Sequence, residues 1–219
     1  MPANARPSSD TGAWTPLLLA EDVPADTPVP VLVDGRELVV WRGADGAARV
    51  WVDRCPHRGM RLSFGFVRDG SLTCLYHGWR FAGDGACKAI PAHPDLDPPA
   101  SLHAETLHAA EITGLVWLIG TGDGPAEQAA TPVRSLALPV NAPTARARLG
   151  LDAAPLSSLS VPGQPPLLAA ITPRGEGACI LHLLIAGEAD LEARTAVALW
   201  SAAFARDIAH ALSETAHAA

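Results

Sequence analysis

Two short stretches of the chain pair a cysteine with a histidine. Cys55 and His57 stand in Cys-Pro-His-Arg-Gly, and Cys74 and His77 in Cys-Leu-Tyr-His-Gly-Trp. Thiolate sulfur and neutral imidazole nitrogen are both good metal ligands, and two of each can surround a single zinc ion tetrahedrally. The other cysteines do not extend the set. Cys87 has no histidine at ligand spacing, and Cys179 has only His182 three residues on, which reads as apolar strand filling beside one satisfied histidine. Four cysteines in 219 residues do not make a disulfide framework, and in a reducing compartment Cys and His in pairs point to metal.

Ligands at this spacing must be presented by turns, and the surrounding sequence is full of hairpin signals. Asp-Gly occurs at 34–35, 45–46, 69–70 and 84–85 between β-favouring residues. The dipeptide supplies the positive φ angles that tight hairpin turns need. Residues 13–120 are therefore expected to form an antiparallel β domain, closed by an apolar strand from Ile112 to Ile119. Residues 1–12 lack periodicity and read as a mobile tail. Residues 121–145, rich in Gly, Pro, Ala and Thr, read as a linker. Residues 146–219 then form a small α+β region: Leu167–Thr172 and Ala178–Ile185 as a hairpin, followed by a C-terminal helix. On that helix Leu191, Val197, Trp200, Phe204, Ile208 and Leu212 trace one face. The expected fold class is mostly β.

The residues flanking the quartet narrow its chemistry. Both segments closely resemble the cluster-binding loops of Rieske proteins, in which one iron of a [2Fe-2S] cluster is held by two thiolates and the other by two imidazoles. The resemblance implies Cys55 and Cys74 on the first iron and His57 and His77 on the second, and it argues against zinc. Respiratory-chain Rieske proteins carry a further cysteine in each loop, which form a disulfide, and a serine after the second His-Gly. Met60, Tyr76 and Trp79 stand at those places here. The chain thus looks like the oxygenase and ferredoxin type, with a potential toward the low end of the roughly −150 to +300 mV Rieske range. TPLLLAEDVP, LVVWR, the run from Asp53 to Asp95 and GLVWLIG are similar, in the same order, to the N-terminal Rieske domain of ring-hydroxylating oxygenase α subunits, especially the phthalate oxygenase and vanillate demethylase branch. ITPRGEGACILHLLI and AFARDIAHAL resemble more weakly the closing strands and terminal helix of that family's catalytic domain.

Such α subunits oxidise substrate at a mononuclear iron held by two histidines and a carboxylate, the histidines arriving as Asp-x2-His-x4-His. Arg146 to Gly163 contain no histidine. His103 and His108 have the His-x4-His spacing, but Ala100 stands where the Asp belongs, and both read as surface strand residues. His210 and His217 could share a helical face without a carboxylate to complete a triad. No mononuclear iron is expected. The implied function is one-electron transfer, by a ferredoxin-like or shortened α-like component, between an NAD(P)H-dependent reductase and an oxygenase component. The alternatives are a subunit of an active oxygenase whose mononuclear site is supplied with another chain, and a redox-sensing or structural subunit. The family's frequent trimers imply a homo-oligomer. Arg54, Arg58, Arg61 and Arg80, beside the ligands, form either a docking rim for an acidic partner or braces paired with Asp53, Asp69 or Asp84.

Composition bounds the rest. An apolar fraction of 48% suffices for a buried core, and a net charge of −7 argues against a nucleic-acid partner, which needs a clustered basic surface. The longest apolar runs fall far short of the ~20 residues of a spanning helix. The first residues, MPANARPSSDTGAW, lack the apolar core of a secretory signal, so a cytoplasmic location is expected.

Overall fold

In the computed structural model, which describes residues 12–217 and side chains through residue 212, antiparallel pairing organises the chain. The expected tail at 1–12 lies, apart from Gly12, outside the described residues. Strands β1 (Thr15–Leu19), β2 (Val29–Val33), β3 (Arg36–Arg42) and β4 (Ala48–Val52) come first. Four short strands follow: β5 (Phe66–Arg68), β6 (Ser71–Thr73), β7 (Arg80–Phe81) and β8 (Cys87–Ala89). The first part ends with β9 (Thr106–Leu107), β10 (Ala109–Ile112) and β11 (Leu115–Leu118). The second part holds β12 (Ala130–Leu138), helix α1 (Ala142–Leu149), β13 (Leu156–Leu159), β14 (Leu167–Pro173), β15 (Cys179–Ala186) and helix α2 (Leu191–His217). The sheets run β2-β3-β4-β9, β5-β6-β7-β8, β1-β11-β10 and β12-β15-β14-β13. The mostly β expectation holds. No described helix is long and apolar enough to cross a membrane.

The Asp-Gly pairs at 34–35, 45–46, 69–70 and 84–85 lie at turns. At 34–35 and 69–70 both residues have positive φ, and the flanking partners Val33↔Arg36 and Arg68↔Ser71 leave two-residue loops, the hairpin turn whose twist matches the strands. The strand expected from Ile112 to Ile119 is instead broken by a third such turn. Thr113 and Gly114, at φ 50° and 70°, fold β10 back on β11 with Ile112 opposite Leu115. Thr-Gly carries a weaker turn signal than Asp-Gly, so the apolar residues on both sides read as one run.

The linker expected at 121–145 also needs correction, because β12 occupies its middle and pairs with β15 along its length. The strand was hidden by Pro132, which sits at a register shift between Pro132 and Arg134. β12 is an edge strand of its sheet, where a missing N–H costs no ladder bond. Helix α1, also unforeseen, is capped by Asn141, whose side chain accepts from the Thr144 amide at 2.9 Å, and ends at Gly150 in the left-handed region. Asn-x-Pro and a Gly after the last turn were the available signals.

The expected hairpin of the second part forms as β14 and β15, and its sheet is buried on both faces. Leu167, Ala169 and Ile171 of β14, with Leu181, Leu183 and Ile185 of β15, face α1 and α2. Leu168, Ala170 and Leu184 face Leu19, Leu115 and Trp117 of the first part. Strands covered on both sides need apolar residues at every position, which is why these runs are continuous. Asp190 caps α2 through the Ala193 amide. Val197 and Ile208 are buried, with Trp200, Phe204 and Leu212 packed partly against the sheet. Leu191, assigned to the same face, is the first residue of α2 and is 78% exposed.

Candidate metal centre

The two Cys-His segments are loops of the same construction. Strand β4 feeds the first and β6 the second. In each, the cysteine amide donates to a carbonyl five residues on, Cys55 to Met60 at 2.8 Å and Cys74 to Trp79 at 2.9 Å. A glycine amide then donates back to the cysteine carbonyl, Gly59 to Cys55 at 2.9 Å and Gly78 to Cys74 at 3.0 Å. Both glycines have left-handed φ, 72° and 69°, the conformation that makes glycine necessary in Cys-Pro-His-Arg-Gly and Cys-Leu-Tyr-His-Gly.

Packing brings the loops together. Leu62, Leu72 and Phe81 are completely buried with Val39, Trp41 and Trp51 beneath Cys55 and Cys74. The Trp41 and Trp51 rings meet edge to face at 4.9 Å, a geometry worth about 1 kcal/mol beyond area burial. Gly65, after the first loop, passes so close to β6 that a Cβ there would lie 2.0 Å from the Thr73 carbonyl oxygen. The base of the first loop is tied by Asp53, which is buried and accepts from the Ser63 amide at 2.7 Å and hydroxyl at 2.5 Å. Sequence reasoning treated Asp53 only as an arginine partner. No arginine pairs with it among the described residues.

The four candidate ligands separate into two pairs by depth. Cys55 and Cys74 are 3% and 2% exposed. Burial pushes the Cys55 thiol up to about 11 and Cys74 adds to the upward push, against the pull of the His57 and Arg58 amides that point at its sulfur. Such a thiol becomes a thiolate only when a metal supplies compensating charge. Nearer the surface, the His57 and His77 rings face each other, centroids 4.6 Å apart, with His77 exposed and His57 half-buried. Desolvation, then His77 and Arg58, holds His57 below its usual range, in the neutral form that ligates metal. Trp79 of the second loop stacks on His57 of the first at 4.3 Å and 6°, and Tyr76 lies 3.8 Å from His77. A buried sulfur pair beneath an outward imidazole pair is the donor division a [2Fe-2S] group needs. Among the described residues, no three His, Cys, Asp or Glu side chains converge as one ion requires.

The model of the Rieske [2Fe-2S] domain matches residues 13–102. This part of the chain is a Rieske domain. Oxidoreductase NdmD of Pseudomonas putida is 37% identical over 109 residues, 49% of this chain and 18% of that protein. The 3-chlorobenzoate-3,4-dioxygenase oxygenase subunit of Comamonas testosteroni is 37% identical over 107 residues, 48% of this chain and 25% of the other. The chain thus spans about a quarter or less of the length of these relatives. The crystal structure of dicamba monooxygenase bound to dicamba superposes with a TM-score of 0.67 at 20% identity, covering 81% of this chain and 76% of that one. That likeness is one of fold, and its extent carries it past the Rieske domain into the second sheet. The relatives are thus similar to this chain over its Rieske part, and the solved structure shares its fold.

The other sequence candidates lie apart from the Rieske loops or serve another end. Cys179 faces the α1 and α2 side of its sheet, while His182 is buried with both ring nitrogens engaged, Nδ1 by Ser135 at 2.8 Å and Nε2 by Thr172 at 2.7 Å. The Thr172 hydroxyl donates to the Pro16 carbonyl at 2.6 Å. It must therefore accept from Nε2–H, and Nδ1 accepts from Ser135. This chain of donors joins β12, β14 and β15 to β1, so His182 is a satisfied structural histidine. His103 and His108, expected as surface strand residues, both lie outside the strands: His103 is half-buried at an isolated bridge with Ala86 and its Nδ1 donates to the Ala104 carbonyl, while His108 is exposed between β9 and β10. The His217 side chain lies outside the described residues.

Proposed function

We propose that this chain carries single electrons through a [2Fe-2S] cluster held by Cys55, Cys74, His57 and His77, between an NAD(P)H-dependent reductase and an oxygenase component. The depth ordering of the ligands carries the reading: the thiols are sealed beneath the loops while His77 reaches the surface, where a partner can approach to electron-transfer distance. When bound, the cluster supplies a one-electron couple whose imidazole-ligated iron is reduced more readily than one in an all-thiolate site. The protein's part is positional. Trp79 fixes the His57 ring, the backbone amides of His57 and Arg58 stabilise negative charge on the Cys55 sulfur, and Asp53 with Ser63 holds the loop base. The lack of histidine in Arg146 to Gly163 supports a relay without a substrate-oxidising iron of its own. Four unpaired cysteines suit a reducing, cytoplasmic setting.

One observation favours a second reading. The fold shared with dicamba monooxygenase covers 81% of the chain and so extends beyond the Rieske part, which supports a subunit whose mononuclear site is completed by another chain. Iron and sulfide analysis with electron paramagnetic resonance of the reduced protein separates the two. Two irons and two sulfides per chain with an anisotropic signal of low average g support the relay, and a third iron supports the oxygenase subunit. A single zinc ion refutes both.

A further inference from the structure

The surface around the imidazole pair has two chemical halves. Beside His77 it is apolar, with Leu75 and Tyr76 59% and 55% exposed. On the His57 side it is grooved and basic. A hollow of about 320 Å³ opens between the first loop and the His103–Glu105 segment, with Arg54 and Arg58 on its wall. A second, of about 470 Å³, continues round the base of that loop toward Arg36 and the Arg61–Glu37 pair. Arg54 and Gly59 line both, so the two form one groove.

The four arginines of the expected rim are not equivalent. Arg80 reaches Asp69 at 3.4 Å, and Arg61 is engaged by Glu37. Arg54 and Arg58 are exposed and form no ion pair among the described residues. Glu105 is the one carboxylate lining the smaller hollow, against both arginines. The position of Arg54 is built into the loop, because a Cβ on Gly59 would come within 3.2 Å of its Nε. In a chain of net charge −7, two unpaired guanidiniums at the walls of a groove focus positive potential beside the candidate ligands.

We infer that the groove seats an acidic surface loop of the protein that exchanges electrons with this chain. Its carboxylates meet Arg54 and Arg58 while its apolar centre covers Leu75 and Tyr76. The inference rests on the cluster reading above and names the chemistry of the partner. An apolar contact flanked by charge is the anatomy of a protein interface, and rim charges act mainly on encounter rate and its salt dependence. A small free anion would use the arginines but leave the apolar half uncovered.

The test uses the loaded full chain, with iron and sulfide measured first, mixed in stopped flow with reduced flavodoxin as an acidic one-electron donor. Appearance of the flavodoxin semiquinone is followed from about 0.01 to about 0.5 M salt, a range over which the screening length contracts from roughly 30 Å to well under 10 Å. The second-order rate constant should fall about tenfold or more. R54A/R58A should lower the low-salt rate about fivefold and flatten the salt dependence, R54K/R58K should restore it, and L75S/Y76S should slow the reaction with the salt slope kept. A salt-independent rate, or an unchanged R54A/R58A rate at normal cluster content, overturns the groove assignment and leaves the cluster standing. Inhibition of the wild type by inorganic phosphate at constant ionic strength, absent in R54A/R58A, makes the groove a small-anion site and also overturns it. A wild type without iron and sulfide overturns the cluster reading, and this inference with it.

Discussion

Trp79 lies flat on His57, their ring centroids 4.3 Å apart and their planes 6° from parallel, so a residue of the second loop sets the orientation of a candidate ligand in the first. Outer groups that orient a metal ligand affect metal retention by about 10- to 100-fold. Trp79→Leu should therefore lose iron to a chelator about tenfold faster than the wild type and broaden the resonance of the reduced protein. Trp79→Phe, which keeps a flat face, should show much less of both.

Cys74→Ser should remove the visible absorbance and bring sulfide close to zero, because an uncompensated site cannot hold a thiolate at the remaining buried position. Cys87→Ser and Cys179→Ser should leave iron and sulfide at wild-type levels. Cys179→Ser should cost about 1–3 kcal/mol of stability by placing a hydroxyl in an apolar core, read from denaturant midpoints. Retention of full sulfide in Cys74→Ser would refute the ligand set.

Gly65→Ala places a methyl group against the Thr73 carbonyl, where backbone must move. Overpacking of this kind costs about 1–3 kcal/mol, and here it also pushes the two loops apart, so a lower melting temperature should come with reduced cluster content. Gly35→Ala, also at a turn but with open space around it, should cost only the left-handed strain of about 1 kcal/mol and leave the cluster content unchanged.

His182 carries the pH prediction. Burial holds its pKa down to about 3, against an ordinary value of 6.5, so the unfolded chain binds a proton that the folded chain refuses. Its contribution to stability is fully present above about pH 6.5 and is lost as pH falls toward 3, with a slope of at most about 1.4 kcal/mol per pH unit. Urea midpoints measured between pH 7 and 4 should fall, and the fall should be shallower in His182→Gln. An equal slope in that variant would assign the acid lability elsewhere.

What the sequence made legible follows from how local each signal is. The ligand loops, the tight Asp-Gly turns at 34–35 and 69–70 and the β14–β15 hairpin are written in adjacent residues, whereas at 45–46 and 84–85 the chain turns in longer loops with only the glycine at positive φ. β12 was missed because its pairing with β15 lies more than forty residues away along the chain, while its own proline argued against a strand. The Thr113-Gly114 turn was missed because its residues are weak versions of the expected pair. Asp53, Ser63 and Gly65 left no trace because their roles depend on contacts between segments, which spacing does not encode. The arginine rim was legible as a cluster, but only the fold distinguishes Arg54 and Arg58 from their paired neighbours.

The doubly covered second sheet has a practical corollary. Leu168, Ala170 and Leu184 are matched against Leu19, Leu115 and Trp117, so a cut in the segment before Ala130 would strip the lining from both halves at once. A fragment ending near Gly120 would keep every candidate ligand yet carry a raw oily flank, and it should clump or need detergent where the uncut polypeptide does not.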